Sequence, residues 1–197
     1  MPADLEPIGN DAFEIVDWQA AGVDITREKI PSERGRSLFN WLEQRLVASD
    51  ASVVFCDDGA GEMADYIAVH ETEAGPRVKL YHCKASGDAQ PGMRADDLHV
   101  VCGQAVRSCV WIGPEQFLDR LRYRDGLASV RGYVKGDEAR AAQILSAQAR
   151  QQVQFDVYIV QPGVQRDERS QGMSHLLAAA AHYLSQGGID RFGVIGS

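Results

Sequence analysis

Long apolar runs are missing from this sequence. No stretch reaches the length of a membrane-spanning helix, and the N-terminus shows no basic segment followed by an apolar one. Neither a membrane protein nor an exported one is expected, and the reading places the chain in the cytoplasm. Cysteine is scarce as well: Cys56, Cys83, Cys102 and Cys109 sit inside apolar runs and never at C-x-x-C spacing. They read as small buried hydrophobes, with a zinc site the second choice. Positive charge is also in short supply, with 20 Lys and Arg against 28 Asp and Glu and a net charge of −8. That balance disfavours a protein that holds nucleic acid through bulk phosphate neutralisation. It leaves room for a cation-dependent site, which carries a negative cluster of its own. Internal repeats and low-complexity tracts are absent.

What remains is the composition of one ordinary globular domain, 197 residues with 45% apolar and 24% charged, enough for a sizeable core. Its most informative stretch is residues 52–86, SVVFCDDGAGEMADYIAVHETEAGPRVKLYHCKAS. Three apolar runs, Val53 to Cys56, Ala64 to Val69 and Arg77 to Lys84, are separated by turn signals at Asp57-Asp58-Gly59 and Gly75-Pro76. Short connections predict an antiparallel meander. Alternation places Val78, Leu80, His82 and Lys84 on one side of the third strand, and Lys79, Tyr81 and Cys83 on the other. His82 and Cys83 therefore cannot act together as base and nucleophile. Lys84 ends an apolar strand and needs water or a negative partner; Asp65, opening the strand beside it, is the expected one.

An acid at the start of one strand and an x-Lys pair closing the next is a layout suited to metal-dependent phosphodiester hydrolysis. With the words GEMADYIAV and LYHCKAS, and with VCGQAVRS, FDVYIVQPG, LLAAAAHYL and FGVIGS beyond them, the chain resembles the PD-(D/E)xK, or restriction-endonuclease-like, nucleases. The version it looks like is the nuclease-like domain associated with DEAD/DEAH-box helicases of bacteria. The resemblance runs from about residue 20 to the end and is weakest between Gly113 and Gln151.

It implies a mixed central sheet flanked by helices on an α-β-β-β-α-β core with extra helices. It also implies cleavage of DNA, with RNA as the alternative substrate, in defence or DNA processing beside a helicase on the same or another chain. The implied catalytic set is Asp65, Lys84, His82, Glu62 and Gln104, with Asp65, Asp58, Glu62 and His82 around Mg2+ or Mn2+. One departure stands out: the family places Asp or Glu two residues before the lysine, and here that residue is His82. An imidazole suits softer ions than magnesium, so His82 is either a substitute ligand or a mark of lost activity, with Glu62 or Asp58 able to supply the missing carboxylate. The alternative function is thus a catalytically inactive module for nucleic-acid binding or helicase assembly.

The rest of the chain completes an α/β domain over residues 31–197, with residues 1–30 an arm that packs on it through one or two short strands. Leu38, Trp41, Leu42 and Leu46 mark a helix opened by Pro31-Ser32, with Glu43 off its stripe and expected in solvent. Leu98 to Cys109 marks another, with Gln104 and Ser108 on its flank. Helices are expected over Glu115 to Tyr123 and Glu138 to Gln152, with the turn-rich Gly126 to Gly136 between them. Val153 to Val160 reads as a buried strand, Met173 to Leu184 as a helix stopped by Gly187-Gly188, and Phe192 to Ile195 as the last strand. His175 and His182 are expected at the surface. The basic stretch Arg120, Arg122, Arg124, Arg131 and Lys135 is the candidate nucleic-acid surface, equally readable as a solvated helix face. Oligomeric state is left open.

Overall fold

The β-branched run Val53–Cys56 forms a strand buried on both faces, one place in from an edge of the sheet. The computed structural model describes residues 5–29, 37–92, 95–146 and 152–197. Among these, the chain runs β1 (Phe13–Ile15), α1 (Leu38–Ala48), β2 (Val53–Cys56), β3 (Tyr66–Thr72), β4 (Gly75–Cys83), α2 (Ala95–Val106), α3 (Pro114–Asp125), β5 (Gly132–Lys135), α4 (Glu138–Ser146), β6 (Gln154–Val160), α5 (Gln171–Gln186) and β7 (Arg191–Gly196). The strands form one mixed sheet in the order β1-β7-β6-β4-β3-β2-β5. No helix among the described residues is long and apolar enough to cross a membrane.

The meander is present: β2 pairs antiparallel with β3, and β3 with β4. After α2 the chain returns to lay β6 parallel to β4, and β7 and β1 extend that parallel half. Alternation splits the core in two. Phe55, Ile67, Val69, Val78, Leu80 and Val157 meet α2, α3, α4 and α5 on one face. Val54, Cys56, Tyr66, Ala68, Tyr81 and Cys83 meet α1 and the arm residues Trp18 and Ile25 on the other. The arm is thus part of the packing, and Trp18 sits edge-on to Trp41 at 4.8 Å between ring centroids.

Two expectations about elements change. The first helix begins after Ser37, whose hydroxyl accepts from the Asn40 N–H and caps it, while the expected opening at Pro31-Ser32 lies outside the described residues. The turn-rich stretch 126–136 contains β5, which pairs antiparallel with β2 through an irregular register at Val54 and Phe55. Gly132 and Gly136, with φ of 79° and 71°, bracket it. Four residues, the first of them a glycine, give too short a pattern for alternation to reveal.

Candidate functional site

At the end of the sheet where β2 stops, β3 starts and β4 stops, the connection 57–65 rises over an open cleft of about 600 Å³. The connection is a built loop. Asp57 is fully buried, accepts the Met63 N–H at 2.7 Å and forms an ion pair with Arg124, itself buried. The same guanidinium donates to the carbonyls of Ala60 at 2.7 Å and Asp57 at 2.8 Å. The Glu62 carboxylate accepts the Gly59 N–H at 2.9 Å, and the Gly59 carbonyl accepts the Glu62 N–H at 3.1 Å. Gly59 and Gly61 have φ of 132° and 77°, which side-chain-bearing residues rarely adopt.

This loop delivers Asp58 and Glu62 to Asp65. Ligand atoms of the three carboxylates all lie within 4.8 Å of one another. Asp65 is 3% exposed, and its carboxylate accepts the Cys83 N–H at 2.7 Å. Burial, with Glu62 and Glu28 adding like charge, pushes its pKa up to about 8 against the pull of the Cys83 N–H and Lys29. Asp58 is paired with Lys29. An all-oxygen donor set of three carboxylates, one of them buried among like charges, fits a hard divalent cation such as Mg2+ or Mn2+.

The two basic groups nearest the cluster arrive differently from expectation. Lys84 does not take Asp65 as its partner; its Nζ donates to Glu28 at 3.0 Å, and the same Glu28 carboxylate accepts the Ala85 N–H. The cleft wall itself carries Glu28 and Lys29. Both come from the arm, where acids between apolar residues gave no sign of a role.

His82 lies at the cleft wall, apart from the carboxylates, and is 2% exposed. Its Nε2 lies 2.8 Å from the Ser108 hydroxyl, its Nδ1 has no partner, and burial lowers its pKa to about 3, so it is a neutral wall residue. Gln104 also lines the cleft, with its Oε1 buried and unpartnered.

The basic stretch is divided. Arg124 is the buried loop anchor, and Arg122 pairs with Glu138 and Asp119. Arg131 and Lys135 lie by α1: Arg131 donates to Glu43 at 2.9 Å, and Lys135 donates to the carbonyls of Val47 and Ser49. Glu43 is therefore not free in solvent, since it also accepts the Tyr66 hydroxyl at 2.9 Å. Of the five, Arg120 alone reaches the cleft. His175 and His182 are exposed, and three of the cysteines are buried, as read. Comparison of the chain with family models, curated proteins and solved structures finds no match in any of the three.

Proposed function

We propose that this cleft is a divalent-cation-dependent centre for hydrolysis of nucleic-acid phosphodiesters, DNA first among them. The observation that carries the reading is the convergence of Asp58, Glu62 and Asp65 at the mouth of an open cleft. The order of elements supports it: with α3, β5 and α4 set aside as an insertion, α1-β2-β3-β4-α2-β6 follows the α-β-β-β-α-β pattern of restriction-endonuclease-like cores. Asp65 then opens the second core strand, and Lys84 directly follows the third.

Asp65, Asp58 and Glu62 would hold Mg2+ or Mn2+. When bound, the cation would polarise the phosphate and lower the pKa of a coordinated water. The chain's own residues do the rest. Arg124, through Asp57, holds the loop so that two of the carboxylates face the third. Lys84 keeps Glu28 against the end of β4, and Lys29 balances charge at Asp58. Gln104 offers a buried acceptor to a substrate or water proton. Cytoplasmic DNA processing beside a helicase is the setting we propose with this chemistry.

A second reading has its own support. The family's second acid position is His82, which is engaged with Ser108, and Lys84 faces Glu28. Both arrangements suit a nuclease-like module that binds without cutting.

Digestion of plasmid and of single-stranded oligonucleotide with Mg2+ or Mn2+ tests the two together. Hydrolysis is expected in wild type with either ion, because the ligands are carboxylates, and a fall of about 100-fold or more in Asp65→Asn. Binding of the oligonucleotide with no product under any ion would replace the first reading with the second.

A further inference from the structure

We infer that the part of the cleft wall built by Arg107 and Arg120, the latter bonded to the acid-bearing loop at Gly61, is a phosphate-binding wall that commits the cleft to one or two nucleotides of a single strand. This deepens the proposed hydrolytic reading by naming its substrate class, yet the binding it describes does not require hydrolysis.

The argument begins with how arginines are used elsewhere. Arg27, Arg45, Arg77, Arg131, Arg140 and Arg166 each have a carboxylate within ion-pair distance. In an acidic protein that is the expected fate of a guanidinium. Among the described residues Arg107, Arg120, Arg169 and Arg191 have no such partner; Arg169 lies over the Phe13 ring and Arg191 donates to the Asp11 carbonyl, whereas Arg107 and Arg120 line the cleft that holds Glu28, Asp58, Glu62 and Asp65. Arg107 is exposed at the start of the 3-10 turn Arg107–Trp111 that follows α2.

Arg120 is set in position by its neighbours. Its guanidinium lies 4.6 Å from the Trp111 ring centroid and 5.0 Å from that of Tyr123, and it donates to the Gly61 carbonyl. Its Nε is buried and has no partner. Two aromatic rings and one carbonyl thus fix the plane of the fork and leave donor capacity unused. That is the arrangement in which arginine recognises a phosphate with little loss of side-chain entropy. Gly61 is part of the fit, since a Cβ there would stand 3.4 Å from Arg120 Nη2.

Size and charge then select the ligand. A volume of about 600 Å³ is in the range of small-molecule sites. A duplex binder that relies on phosphates engages roughly 6–10 of them, whereas here two unpaired arginines stand in the cleft of a chain with net charge −8. A strand end threaded past the acid cluster, with neighbouring phosphates on Arg107 and Arg120, matches both.

The test is binding of 5′-phosphorylated thymidine trinucleotide in Ca2+, followed by tryptophan fluorescence and calorimetry, beside a duplex of about 20 base pairs. Arg107 is exposed and pairs with no carboxylate among the described residues, so Arg107→Ala is expected to leave the fold intact. The trinucleotide is expected to bind wild type more tightly than the duplex does. Arg107→Ala and Arg120→Ala should each weaken it about 10-fold and lower the salt slope by about one, with Arg120→Lys recovering little because the fork is lost. Unchanged affinity in the double variant, or tighter binding of the duplex, overturns the inference. Arginine-dependent binding with no cleavage under any ion upholds this inference and removes the hydrolytic reading. Full-rate cleavage by the double variant does the reverse.

Discussion

Two buried aspartates at the two ends of one loop, Asp57 and Asp65, are provided for in opposite ways. Asp57 has a guanidinium against it and a backbone N–H at 2.7 Å, and every partner belongs to the fold. Burial raises both carboxyls, but Asp65 receives one backbone N–H, has carboxylates instead of a guanidinium for neighbours and is pushed up to about 8. A buried charge that the fold satisfies is scaffolding; one left among like charges has a cost that a ligand can relieve. The comparison separates the carboxylate that shapes the loop from the one that uses it.

The sharpest way to break the comparison is to take the guanidinium from Asp57. Arg124→Ala should cost about 3–5 kcal/mol, because an uncompensated buried carboxylate remains and the loop loses its anchor. Denaturant unfolding, read as a lower midpoint at unchanged slope, checks this. Neutralising the other aspartate has the opposite sign. Asp65 binds a proton more tightly folded than unfolded, so its contribution to metal-free stability is fullest below the unfolded pKa near 4, declines as pH rises toward 8 and is flat above. Asp65→Asn removes that decline while keeping an acceptor for the Cys83 N–H. At pH 9 it should stabilise the metal-free protein by on the order of 2 kcal/mol, about 4–8 °C in thermal unfolding, even as it abolishes cation binding. A destabilised variant at that pH would mean that Asp65 belongs with Asp57.

A smaller effect follows for the cation. Binding must displace the Asp65 proton, so Mn2+ affinity should rise about 10-fold per pH unit between 6 and 7 and level off above 8, as titration calorimetry in buffers of different ionisation enthalpy would show. Smallest is Lys84→Ala. Its pair with Glu28 is about a third exposed on each side, so the stability change should stay below ~1 kcal/mol. A large loss of hydrolysis with that small loss of stability would place Lys84 in the chemistry rather than in the packing.

The pattern of residues announced the parts of this molecule that depend on neighbours in sequence. Short turn-marked connections between the apolar runs at Val53 to Cys56, Ala64 to Val69 and Arg77 to Lys84 gave the meander, Gly187-Gly188 gave the end of α5, and Asp58, Glu62 and Asp65 could be grouped because one short loop carries all three. Partners brought from a distance were not legible. Glu28 meets Lys84 across a separation of 56 residues and Arg124 meets Asp57 across 67. An arginine looks the same in a sequence whether it faces solvent or anchors a loop. Five basic residues in one stretch suggested a surface, and the fold dealt them to both sides of the sheet because β5 turns the chain across its edge. β5 itself, four residues opening on Gly132, carries too few side chains to show a period.

That edge strand has one more consequence. β5 on one flank and β1 on the other are four and three residues long, so neither offers a ladder on which a foreign strand could grow. A wide sheet fenced by such short borders resists fibre formation, and it obliges any protein that joins this one to grip side chains and helix faces instead of borrowing a seat in the sheet.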